Sequence, residues 1–155
     1  LAAFADDEGL LYSRALLWER RDEVAKAEAD FRRILVISPD DVNTLNALGY
    51  TLADRTTRYR EALELIDRAR VAAPGNAAII DSYGWVLFRL GKPRQALDHL
   101  RHAYALQKDA DIGSHLGHVL WVLGERDEAR KYFEEARKLD PENRSLQRAL
   151  QATGA

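Results

Sequence analysis

The chain repeats itself, and the length of the repeat decides what it can build. Gly49, Gly84 and Gly117 are separated by 35 and 33 residues. Ala27, Ala62, Ala96 and Ala129 step by 35, 34 and 33, and Phe31, Ile66, Leu100 and Phe133, each four residues further on, keep the same steps. Pro39 and Pro74 are 35 apart, and Pro141 lies 67 beyond Pro74, which is two further periods. Landmarks of four kinds in one phase mark a stack of equal supersecondary units, none of which can bury its apolar side alone.

Each unit reads as two amphipathic helices. In the fourth, Leu116, Leu120 and Leu123 recur at helical spacing until Gly124 stops the run. Ala129, Phe133, Ala136 and Leu139 then share one face of a second helix that ends at Asp140–Pro141. The third unit has the same form, with Gly91 as the stop and Pro93 suited to a first helical turn. The second replaces the glycine turn with Asp54-Arg55-Thr56-Thr57, and Thr57 is the expected N-cap. Small residues such as Gly84 and Ala96 let paired helices approach, and Leu100 or Phe133 fills the groove beside them.

Composition closes several other routes. A length of 155 residues suits one domain or one short array, and a 46% hydrophobic share is too high for a disordered tail. A net charge of −2 gives no electrostatic footprint for nucleic acid or an anionic membrane. Without cysteine there is no disulfide scaffold and no thiolate chemistry. No run of about eighteen apolar residues offers a bilayer span. Methionine is missing even at position 1, so the chain reads as a processed product or an excised segment.

The landmarks resemble the tetratricopeptide (TPR) pattern, W-x2-L-G-x2-Y, then A-x3-F, then P. Residues 110–143 carry Leu116-Gly117, Leu120, Ala129, Phe133, Ala136 and Pro141. Residues 77–109 carry Tyr83-Gly84, Leu87, Ala96, Leu100 and Ala103, with Lys108 where proline is usual. Residues 42–76 carry Leu45, Leu48-Gly49, Leu52, Ala62, Ile66, Ala69 and Pro74. Residues 8–41 are degenerate, with Leu11, Ala15 in place of the glycine, Trp18, Ala27, Phe31 and Pro39, and 144–153 look like a capping helix N-capped by Asn143. The resemblance implies one TPR domain over 1–155: an all-α, right-handed superhelix of four helix-turn-helix repeats plus a C-terminal capping helix. The stretches NALGYTLADRT, AIIDSYGWVLFRLG and SHLGHVLWVLGERDEAR are similar to the C-terminal part of bacterial envelope TPR proteins, apart from His118, where those have an acid. This second resemblance implies a periplasmic or outer-membrane-associated setting, with the cytoplasm as the alternative.

The resemblance also implies a concave wall lined by the first helix of each repeat. Carried over position by position, that wall holds Asn43, Asn46 and Tyr50 in the second repeat and Asp81, Ser82, Trp85, Phe88 and Arg89 in the third. The fourth adds Asp111, His115, His118 and Trp121. An aromatic stripe with interspersed polar groups suits a peptide or amphipathic helix of a protein partner, with Trp85 and Trp121 as anchors. The other reading of Trp85 and Phe88 is packing between neighbouring first helices. A carboxylate clamp is not expected, since its positions lack paired cations.

Two sharper chemistries compete with plainer ones. Asp111, His115 and His118 sit at i, i+4 and i+7, a face able to present three ligands to zinc or nickel, or simply a polar wall. No nucleophile elbow, phosphate loop or H-E-x-x-H motif is present, so neither an enzyme nor a cofactor is expected. The expected function is therefore a non-catalytic protein-interaction scaffold. The alternatives are a homodimerising module, or the recruiting part of an enzyme whose catalytic domain lies elsewhere.

Overall fold

The computed structural model describes residues 6–155; residues 1–5 of the domain inferred from sequence lie outside the described residues. Among the described residues all regular structure is helical. The helices are α1 (Glu8–Arg20), α2 (Val24–Ile37), α3 (Val42–Arg55), α4 (Tyr59–Ala72), α5 (Ala77–Arg89), α6 (Pro93–Leu106), α7 (Ala110–Val122), α8 (Arg126–Leu139) and α9 (Arg144–Thr153). They gather into two compact units, 1–73 and 74–155.

Helix entry follows a rule visible in the residues. The first helix of every pair, and α9, begins behind Asp or Asn. Asp7, Asp41, Asn76, Asp109 and Asn143 each accept a hydrogen bond from the backbone N–H three residues on, at 2.9–3.1 Å. Such caps satisfy one of the donors that a helix start leaves unpaired. The second helices start behind Glu23, Arg58, Lys92 and Glu125, with no side-chain cap. They emerge from tight turns, where Gly91 and Gly124 adopt φ of 82° and 90°. The first pair has no glycine there and puts Asp22 at φ 59° instead. Thr57 is not the cap expected in the second pair, because the preceding residue already closes that turn. Thr56 donates its hydroxyl to Leu52 O at 2.6 Å and accepts from the Arg58 N–H at 3.1 Å.

Unit 1 pairs α1 with α2 and α3 with α4, and α2 also packs on α3. Its core contains Leu11, Ala15, Ala27, Phe31, Ile34, Leu45, Leu48 and Ile66. Unit 2 pairs α5 with α6 and α7 with α8; α7 also meets α5 and α6, and α9 lies mainly on α7. Leu87, Leu100, Leu116, Leu120, Phe133 and Leu146 fill it. The close crossings fall where the repeat places small residues. A Cβ on Gly49 would stand 2.5 Å from Ile66 Cγ1, and one on Gly117 would stand 2.5 Å from Phe133 Cε1. Neither separation is sterically possible without a shift. Each helix has 10–14 residues, too short to persist alone in water, so inter-helix burial supplies most of the stability.

Candidate interaction walls

In unit 1 the predicted wall residues lie on α3. Asn43 is exposed, and Asn46 and Tyr50 are half-buried. The carboxamide oxygen of Asn46 is buried and accepts no hydrogen bond, a polar cost held at the wall. From α1, Tyr12 sets its edge against Phe31 at 5.7 Å, and burial, with help from Asp41 and Glu19, pushes its phenol above the usual value. The neighbouring second helices are laced by charge. Arg14 forks onto Asp30 at 2.9 and 2.7 Å. Glu28 accepts from Arg58 at 2.6 Å and Arg32 at 2.7 Å, and Arg32 reaches on to Glu61 at 2.8 Å. The Arg58 contact is the main reason the Glu28 carboxyl is held below its ordinary value.

In unit 2 the wall has a buried floor and a half-exposed rim. Asp81, Ser82, Trp85 and His115, expected on the wall's surface, are all buried, with Trp85 only 4% exposed. The reason is that α7 packs beside α5 and presents His115 to it. Its Nδ1 lies 2.9 and 3.1 Å from the two carboxylate oxygens of Asp81, and its ring stacks on Trp85 at 4.3 Å and 26°. Ser82 spends its hydroxyl on Ala78 O at 3.0 Å. Trp85 is therefore not an anchor that a partner can touch directly; it is packing between first helices. Burial pushes the Asp81 carboxyl up, while His115 pulls it back and Asp111 and Asp109 add to the rise.

Phe88, Arg89, His118 and Trp121 are half-buried and form the rim. Phe88 lies 5.2 Å from both Trp85 and His118, and His118 lies 5.4 Å from Trp85. Trp121 carries the guanidinium groups of Arg126 at 4.7 Å and Arg130 at 5.1 Å over its ring. Asp111 is exposed and accepts from Asn143 Nδ2 at 3.0 Å. The three residues weighed for a metal point to separate partners: His115 turns to Asp81, Asp111 turns to Asn143, and His118 faces Phe88. The Asp81–His115 pair itself was missed from sequence. Its signal was the separation of 34 residues, one period, which places the two on adjacent first helices.

A tetratricopeptide repeat profile matches residues 1–116, and a second tetratricopeptide repeat profile matches 114–143. The chain belongs to the tetratricopeptide repeat family. It is 46% identical over 117 residues to a TPR repeat-containing protein of Pseudomonas aeruginosa, a match spanning 76% of this chain and 20% of that protein. The crystal structure of a thermophilic TPR protein of Thermus thermophilus aligns with TM-score 0.76 and 22% identity, covering 96% of this chain and 82% of that one. MamA of Desulfovibrio magneticus aligns with TM-score 0.66 and 18% identity, over 90% and 78% of the two chains. An O-GlcNAc transferase mutant of Thermobaculum terrenum aligns with TM-score 0.73 and 27% identity over 84% of this chain, but only 26% of its own length. The fold class is thus the all-α helical-repeat superhelix, and a TPR fold supports a protein–protein interaction scaffold. Among the described residues no helix is long and apolar enough to cross a membrane.

Proposed function

We propose that this TPR chain acts as a single non-catalytic domain that holds a peptide or helix of a protein partner in its concave groove. The observation that carries the reading is the build of unit 2. Half-buried Phe88 and His118 pack on a floor already fixed by Trp85, His115 and Asp81, and half-buried Trp121 lies one turn further along the same helix as His118. Aromatic side chains whose backing is immobile offer contact area at low entropic cost, which is what a partner-binding surface needs. Asn43 and Tyr50 give unit 1 a more polar wall of the same kind. The setting we infer is periplasmic or outer-membrane-associated, in envelope assembly, with the cytoplasm as the alternative. What supports it is the resemblance of NALGYTLADRT, AIIDSYGWVLFRLG and SHLGHVLWVLGERDEAR to envelope TPR proteins; the Pseudomonas aeruginosa relative supports a bacterial source alone.

The test is capture of partners from separated envelope and cytosolic fractions with the parent chain and a Phe88→Ala/Trp121→Ala variant. A partner retained by the parent and lost by the variant supports the groove. Equal retention by both sinks it. A second reading, the recruiting part of a larger enzyme, has one observation in its favour, the match to about a quarter of a transferase chain. Self-association is separated from both by light scattering of the purified chain.

A further inference from the structure

Asp81 and His115 are the most completely buried ionisable pair that joins two repeats of unit 2, with side chains 8% and 4% exposed. Such a pair can hold two protons, one or none. Two leaves a buried cation and none leaves a buried anion; one makes the pair neutral overall, whichever partner carries it. In a low-dielectric site the neutral combination is favoured over either charged one. The surroundings sharpen this preference. Asp109 and Asp111, at the start of α7, oppose the ionisation of Asp81 and so oppose loss of the proton. Also close by is His118 on α7 itself, which meets the same indole as His115.

The mechanical connection is as short as the electrical one. His115 stacks on Trp85, Trp85 touches Phe88 and His118, and those two touch each other. Any change in the fit of α5 against α7 passes through the indole to the rim. We propose that the Asp81–His115 pair is a proton-operated latch: one proton held between α5 and α7 keeps the Trp85 floor closed, and its loss at alkaline pH loosens both helices and the aromatic rim they carry. The sign follows from the unfolded chain. There the pair holds no proton above about 6.5, the ordinary histidine value. Folding at higher pH therefore takes up a proton. The pair's stabilisation is complete below that value and is lost as pH rises through the pair's own higher midpoint. The device goes beyond partner binding and is testable without a partner.

The experiment uses the full chain with Trp18→Phe and Trp121→Phe, which leaves Trp85 as the only indole of the three tryptophans. Its fluorescence is titrated from pH 5 to 10, alongside hydrogen exchange of α5 and α7 corrected for intrinsic rates. The expected result is one step with a midpoint above about 6.5, accompanied by at least a tenfold loss of protection in both helices. His118→Gln should keep the step, and His115→Gln and Asp81→Asn should each abolish it. A flat titration, a midpoint at or below the ordinary histidine value, or a step that follows His118 overturns the latch. Should the His115 and Asp81 variants fail to fold, the background chain's midpoint and the His118→Gln titration decide the matter alone.

Discussion

The two units solve the same packing problem with different chemistry. Unit 1 ties its helices with guanidinium–carboxylate pairs that each reach solvent through at least one partner: half-exposed Arg14 with buried Asp30, Arg58 and Arg32 with Glu28, and Arg55 with exposed Asp22 at 2.8 Å. Unit 2 joins its two first helices with a buried imidazole–carboxylate pair capped by an indole. Ion pairs in contact with water repay little, because solvent and salt screen them and ordering two long side chains costs entropy. A buried pair behaves otherwise: intact it is close to neutral in net effect, and broken it strands a charge. The lesson is that one repeated backbone can be tolerant in one half and brittle in the other.

That contrast can be broken most sharply at His115. His115→Ala leaves Asp81 enclosed without its partner and should cost about 3–5 kcal/mol, read by urea unfolding with hydrogen exchange resolved by unit. Glu28→Ala, the corresponding cut in unit 1, should cost no more than about 1 kcal/mol. Equal losses would erase the distinction. Next come Ala96→Leu and Ala129→Leu, fully buried at crossings in unit 2, each expected to cost about 1–3 kcal/mol by overpacking. Thermal melts indistinguishable from the parent would refute the register of the helix pairs.

Acid should act on unit 1 in a defined window. The folded Glu28 carboxyl lies below its ordinary value of 4.5, so its stabilisation is complete above that value and disappears as pH falls through the lower, folded one. Below pH 4.5, α2 and α4 should lose hydrogen-exchange protection, and molar salt at pH 7 should weaken the same helices while sparing α5 and α7. Protection unaffected by either treatment would show that the guanidinium network contributes nothing. The smallest effect is expected at Asp22. Replacement by glycine relieves a left-handed backbone but removes the Arg55 contact, a net change under about 1 kcal/mol. Asp22→Asn, which keeps tolerance of the conformation and drops the charge, separates the two contributions by melting temperature.

Most of the fold was legible because the repeat is written in steric terms. Gly49 opposite Ile66 and Gly117 opposite Phe133 are contacts that no larger residue permits, and their spacing repeats in the chain. The turn glycines were legible for the same reason. The Asp and Asn caps were less so, since acids are frequent throughout a chain that is 31% charged. The wall was legible only as a set of positions. Helical phase places Trp85 and Phe88 on one side of α5, but only the arrival of His115 from α7 decides that Trp85 is covered and Phe88 is not. Asp111, His115 and His118 share a helical phase that the sequence shows, but their partners, each on another helix or at another helix start, come from packing that it does not.

The last helix carries a consequence for how such molecules behave at high concentration. Leu146 and Ala149 of α9 turn inward, while Arg144, Gln147 and Gln151 meet solvent. A further hairpin arriving at this side, from the same polypeptide or from another molecule in a crowded compartment, would find hydrated amide and guanidinium groups instead of grease. Any apolar surface laid on this face would first have to strip water from those groups, at a cost in free energy.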